Sequence, residues 1–247
     1  MYEERFYRKW ILNNSKLKTF FVKYKQTDIC VSVDINSYFV NLPDITFSYL
    51  KLFYSELEKY ISNDPKFKTT FEPYINSQVN IPIINDMMKA SCRANVGPMA
   101  SVAGAVAQYV GNALLKKYSI NEIYIENGGD VFISSHKDVN TIFYTGTSSK
   151  FPQIKLQIEN PGSSFGVCSS SGKFGHSFSF GKADAVMVVC KNTCLSDAFA
   201  TYFCNKIHSE EDIPTLIDLS SQYKEILGFA CVYGNKLGLR GNLKIIY

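Results

Sequence analysis

The chain has 247 residues, 46% of them apolar and 19% charged, and carries 26 Lys and Arg against 22 Asp and Glu for a net charge of +4. That length can bury a sizeable core, and the balance excludes a disordered chain. The small positive excess, with no dense basic stripe interleaved with aromatics, speaks against nucleic-acid binding, and no apolar run reaches the length of a signal peptide or membrane span.

In chain order, Lys18–Lys25 carries aromatic and β-branched residues, and Asp28–Ile35 alternates with Ile29, Val31, Val33 and Ile35 on one side. Together they predict a hairpin. The basic residues spread through this region (Arg5, Arg8, Lys9, Lys16, Lys18, Lys23, Lys25) are mixed with Glu3, Glu4 and Asp28 and read as a solvated strand face. Thr46–Ile61 has Leu50, Phe53, Leu57 and Tyr60 at helical spacing, which predicts an amphipathic helix. Residues 62–82, with Pro65, Pro73 and Pro82, read as a loop.

Gly97-Pro98 puts a proline where a first helical turn tolerates its missing N–H, and Met99–Tyr118 then follows a helical pattern. Its start is made of small residues, Ala100, Ser101, Ala103, Gly104 and Ala105, suited to close approach of a backbone or a ligand. Glu122–Glu126 reads as a strand, Asn127-Gly128-Gly129-Asp130 as a tight turn, and Val131–Ser134 as the returning strand. After a loop through Thr145–Lys150, a second hairpin-like unit runs over Phe165–Ser171, Gly172–Gly175 and His176–Phe180. Ala185–Val189 reads as a short buried strand, and Thr193–Lys206 as a helix with Ser196 at its N-cap. A polar, helix-rich stretch (Glu210–Leu227) and a hairpin turning at Gly234-Asn235 end the chain.

The seven cysteines, Cys30, Cys92, Cys168, Cys190, Cys194, Cys204 and Cys231, form no C-x-x-C pair and have no histidines clustered near them. Reduced thiols in a cytoplasmic protein are expected, and a zinc site is not.

Asp197 and Thr201 lie one turn apart on one helix face, where a carboxylate and a hydroxyl offer hard oxygen ligands suited to Mg²⁺ or Ca²⁺ rather than zinc. The plainer alternative is that Asp197 meets the dipole of its own helix and Thr201 bonds back to a carbonyl. Gly128 and Gly129 would let a backbone approach a ligand, with Asp130 addressing it, but an ordinary hairpin turn needs the same residues. The run Cys168-Ser169-Ser170-Ser171-Gly172 offers hydroxyls and amides, as any polar loop does. His176 is a candidate base or ligand, against the commoner structural histidine.

Taken in order, Gly97-Pro98-Met99-Ala100-Ser101-Val102, Glu126-Asn127-Gly128-Gly129-Asp130, Cys168-Ser169-Ser170-Ser171-Gly172 before His176, and Ser196-Asp197-Ala198-Phe199-Ala200-Thr201 resemble the successive motifs of the ApbE family of flavin transferases. There they read G-G-I-A-K-G, N-x-G-G-D, T-S-G, H-x-x-D-P and A-D-A-x-A-T. The pattern is closer still to an uncharacterised branch of that superfamily with G-P-M-A-x-V-A-G, E-N-G-G-D and G-H-S-x-S-F-G-x-A-D-A, matched here by Gly97–Gly104, Glu126–Asp130 and Gly175–Ala185. The resemblance covers roughly residues 90–205.

It implies one ApbE-like α+β domain over residues 1–247, of T-fold type, with mixed or antiparallel sheets and packed helices. It also implies FAD and Mg²⁺, with FMN passing to a threonine hydroxyl of an acceptor protein. Asp197, Thr201 and the Ala100 carbonyl would hold the metal, and His176 would be catalytic. Gly128, Gly129, Asp130, Ser170 and Ser171 would line the nucleotide. Three positions depart from the transferase pattern: Ser101 stands for the lysine of A-K-G, and Ser179 and Phe180 for the Asp-Pro pair. The alternative is a protein that binds a flavin or another small molecule without transferring it. A third reading gives the glycines and small residues to packing alone.

Overall fold

The computed structural model describes residue 8 and residues 16–147, 149–173 and 180–247. Leu17–Tyr24 (β1) and Thr27–Asp34 (β2) form the expected antiparallel hairpin. β2 stops one residue short of Ile35, because the Asp34 carboxylate accepts from the Ser37 amide and turns the chain into a 3-10 helix, leaving Ile35 exposed. Leu42–Asn63 (α1) contains the predicted amphipathic helix and extends it at both ends. Residues 62–82 are not simply a loop: they hold a short helix, Pro65–Thr69 (α2), and the first residue of Pro82–Ala94 (α3). Pro65 and Pro82 each open a helix, where a proline costs no hydrogen bond.

A 3-10 turn, Pro98–Ser101, leads into Val102–Lys117 (α4). Ile123–Asn127 (β3) and Asp130–Ser134 (β4) make the second hairpin. Val139–Tyr144 (β5) and Gln153–Ile158 (β6) pair around the expected loop. Then come Phe165–Ser170 (β7), Ala185–Cys190 (β8), Thr193–Asn205 (α5), Asp212–Ser221 (α6), Ile226–Tyr233 (β9), Lys236–Gly241 (β10) and Leu243–Ile245 (β11).

Among the described residues the sheet order is β1-β2-β3-β4-β7-β8-β9-β10, with a separate sheet β11-β6-β5. All neighbouring strands pair antiparallel. The result is an α+β fold of antiparallel sheets with packed helices. The eight-stranded sheet is covered on both faces, as β8 shows. Its Val186, Val188 and Cys190 join the core under the helices, while Ala185, Met187 and Val189 join a second core under the small sheet. Side chains alternate across a strand, so burial of both faces requires the unbroken apolar run seen at this position.

Two sequence expectations change here. Ser196 is not the N-cap of α5. Asn192 takes that place, its side chain accepting from the Leu195 amide at 2.8 Å, while the Ser196 hydroxyl donates to the Val188 carbonyl at 2.7 Å and ties the helix to β8. Arg8 is not on a solvated face but buried, with its guanidinium against Asp28 and Glu126. Burial opposes its charge, and the two carboxylates more than offset this, so its proton is held more tightly than in water.

Candidate functional site

The start of α4 and the start of α5 meet at very short range. A Cβ at Gly104 would lie 2.6 Å from the Thr193 carbonyl oxygen and 2.8 Å from the Asp197 Cβ, and one at Gly166 would lie 2.4 Å from the Thr193 Cα. Only glycine fits at either position. Packing therefore accounts for Gly104, one of the small residues noted at the head of α4.

This approach lets each helix satisfy the other's unpaired N-terminal amides. The Asp197 carboxylate on α5 accepts from the Gly104 N–H at 2.8 Å, and the Gln108 side-chain oxygen on α4 accepts from the Thr193 N–H at 2.6 Å. Asp197 thus caps the neighbouring helix and not its own. Thr201 does not bond back to a carbonyl either: its hydroxyl, in a buried residue, has no hydrogen bond among the described residues.

The β3–β4 turn sits against this junction. Asn127 Nδ2 donates to the Ala103 carbonyl at 3.1 Å. Gly128 and Gly129 have φ of 69° and 103°, as a tight two-residue hairpin turn requires. A Cβ on Gly128 would meet nothing within 4 Å, so the turn's backbone there faces open space. Asp130 points inward, buried, with one oxygen accepting from the Ser169 amide at 3.2 Å.

Asp130, Asp197 and the Cys168 thiol form one buried electrostatic group. Burial raises the proton affinity of Asp130 well above the usual carboxylate range, and Asp197 and Glu126 raise it further. Burial likewise lifts Asp197 to about 7, against the opposing pull of the Gly104 and Ala103 amides. Burial, then Asp130 and Asp197, push the Cys168 thiol upward, so it is no ready nucleophile. Among the described residues no lysine or arginine pairs with Asp130 or Asp197.

Two buried hydroxyls, Ser170 and Thr193, have no hydrogen-bond partner among the described residues. The neighbouring Ser171 hydroxyl is fully used, donating to the Asp184 carbonyl and accepting from the Lys173 amide. Ser101, at the lysine position of the resembled motif, is buried and donates to the Pro98 carbonyl at 2.8 Å. His176 and Ser179 lie outside the described residues.

Among the described residues no three His, Cys, Asp or Glu side chains cluster to hold a metal. The donors present among the described residues are of another kind: two buried carboxylates without a cation, the unbonded Ser170 hydroxyl and the Thr201 hydroxyl. Hard oxygens left short of positive charge suit Mg²⁺ in chemical type. No local pattern marks Gln108, Arg8 or the Glu126 side chain as part of this site. Glu126 belongs to the E-N-G-G-D motif, but nothing in the sequence links it to Arg8, 118 positions away.

Residues 8–218 match the family model described as AbpE bacteria. The chain is 37% identical over 225 residues to UPF0280 protein MJ1526 of Methanocaldococcus jannaschii, a match covering 89% of this chain and 88% of that relative. The fold is similar to that of the flavinyl transferase ApbE of Pseudomonas stutzeri in its apo form, with a TM-score of 0.56 at 13% identity, covering 91% of this chain and 94% of that one. It is likewise similar to the flavin transferase ApbE from Vibrio cholerae, with a TM-score of 0.57 at 10% identity, covering 94% and 97%. No helix among the described residues is long and apolar enough to cross a membrane.

Proposed function

Because the chain belongs to the family described as AbpE bacteria, an ApbE-like family, we propose that it binds FAD with Mg²⁺ where α4, α5 and the β3–β4 turn meet. We further propose that it passes FMN from FAD to a hydroxyl of an acceptor protein. The observation that carries this is the buried Asp130–Asp197 pair, which has no cation beside it among the described residues and lies on the same side of the sheet as the unbonded Ser170 hydroxyl.

Asp197, Thr201 and the Ala100 carbonyl would hold the metal, which supplies positive charge to the pyrophosphate oxygens. Gly128 and Gly129 would bring a bare backbone to the nucleotide. Asp130 would orient a ligand N–H or O–H, and Ser170 would give its free hydroxyl; Ser171, engaged elsewhere, would contribute by holding the end of β7. In the transfer, an acceptor hydroxyl oxygen bonds to the FMN phosphorus, the pyrophosphate bond breaks and AMP leaves. The hydroxyl proton needs a base, and His176 is the candidate.

A second reading, binding without transfer, is favoured by Ser101, which leaves no side-chain cation at the place where the transferase motif has lysine. Titrating FAD with and without Mg²⁺, then adding a threonine-bearing acceptor, separates the two. Transfer predicts Mg²⁺-dependent AMP release. Binding alone predicts tight FAD and no AMP, and no FAD binding at high micromolar concentration rejects both.

A further inference from the structure

The β3–β4 turn is held from behind by a buried charge relay that the proposed reaction does not use. Arg8 Nε donates to Glu126 Oε2 at 2.7 Å, and the other oxygen of the same carboxylate accepts from the Gly129 N–H at 2.9 Å. The rest of the guanidinium is fixed by Asp28: one terminal nitrogen donates to its carboxylate and the other to its carbonyl, each at 2.8 Å. Arg8 and Glu126 are both buried, with side-chain exposures of 9% and 4%.

We propose that Arg8 is a positioning residue for the Gly128-Gly129 turn, acting through Glu126, and that it thereby sets how well this turn receives a nucleotide. The nucleotide clause rests on the function proposed above; the turn clause does not. Gly128 faces open space and both glycines are backbone-free by nature, so the turn needs external contacts to keep one shape. The Glu126 bond acts beside Ser169 Oγ donating to the Gly129 carbonyl and Asn127 donating to the Ala103 carbonyl. It depends on the charge of Arg8, because a buried carboxylate that loses its arginine is less well held as an anion and releases the amide. A lysine keeps the charge but lacks the planar fork that bridges Glu126 and Asp28.

The test is amide hydrogen exchange in the full-length protein and in its Arg8→Ala and Arg8→Lys variants, with FAD affinity measured in parallel. Arg8→Ala is expected to speed exchange at Gly129 by about tenfold or more while β9 amides such as Phe229 stay within about twofold. FAD affinity in Mg²⁺ should fall by a similar factor, with Arg8→Lys between the two. Arg8→Lys carries the test alone if the alanine variant does not fold. Unchanged exchange at Gly129, or acceleration spread evenly over all protected amides, overturns the proposal. So does unaltered FAD affinity in a variant whose parent binds FAD. If the parent binds no FAD, the proposed function fails, and the exchange data still decide whether Arg8 holds the turn.

Discussion

Asp197 on α5 caps Gly104 on α4 at 2.8 Å, and the same two helices exchange a second cap in the opposite direction, from Gln108 to Thr193. One carboxylate therefore has a structural duty and is also the leading candidate ligand for a metal. The two duties separate by substitution. Asp197→Asn keeps an oxygen for the Gly104 N–H and removes the charge. Its stability at pH 8 should match or exceed the parent's, while Mg²⁺-dependent FAD binding is lost. Asp197→Ala removes the cap as well and should cost about 1–3 kcal/mol, the usual penalty for a buried donor left unsatisfied. Urea denaturation beside FAD titration reads both, and an Asp197→Asn protein that binds FAD and Mg²⁺ like its parent removes Asp197 from the site.

The close approach makes its own prediction at Gly104. An added methyl would press on the Thr193 carbonyl and the Asp197 Cβ, neither of which can swing away. Overpacking of this kind costs about 1–3 kcal/mol, and the better helix propensity of alanine returns about 1 kcal/mol. Gly104→Ala should thus lower stability by up to about 2 kcal/mol in urea, as the sum of those opposing effects. A raised midpoint would mean that the two helices can part at no cost.

Much of this architecture was legible from local pattern. The β1–β2 and β3–β4 hairpins, α1, α4, α5 and the buried strand β8 follow from periodicity and turn residues, because those signals act over a few positions. Helix α3 was hidden by its own first residue: Pro82 ended what looked like a proline-rich loop but in fact opens a helix. Ser196 has the side chain of a cap, while Asn192 does the capping one turn earlier. The site divides in the same way. Gly128 and Gly129 announce their turn, but the charge on Asp130 depends on Asp197, which is distant in sequence, and Arg8 reaches Glu126 across 118 positions. Contacts of that range leave no trace in local spacing.

The acidic pair also gives a pH dependence of definite sign. Asp197 is raised to about 7 and Asp130 is raised as well, so the native state keeps protons that the unfolded chain has already released. Their contribution is fully present near pH 4 and is lost as pH rises towards 7. Asp34 and Asp64, both lowered, act oppositely and lose their contribution only below about pH 4. Stability without metal should therefore decline between about pH 5 and 7.5, less steeply in Asp130→Asn, and Mg²⁺ should restore it at pH 7.5 but not at pH 5. A parent and an Asp130→Asn variant with the same slope would show that the two carboxylates do not share a field.

Thr201 gives the sharpest separation of function from fold. Thr46, on α1, shows what a structural threonine does in this chain: its hydroxyl donates to the Leu42 carbonyl one turn back at 2.8 Å. Thr201 is as helical and nearly as buried, yet its hydroxyl makes no such bond. Deleting an unbonded hydroxyl removes no partner, so Thr201→Val should change stability by less than about 1 kcal/mol. Thr46→Val should cost about 1 kcal/mol by the same measure. If Thr201 serves the metal and nucleotide, its valine variant should nevertheless lose about tenfold or more in FAD affinity, and only when Mg²⁺ is present. Normal FAD binding by Thr201→Val would detach this residue from the site, and a stability loss above about 2 kcal/mol would show that the hydroxyl has a structural partner after all.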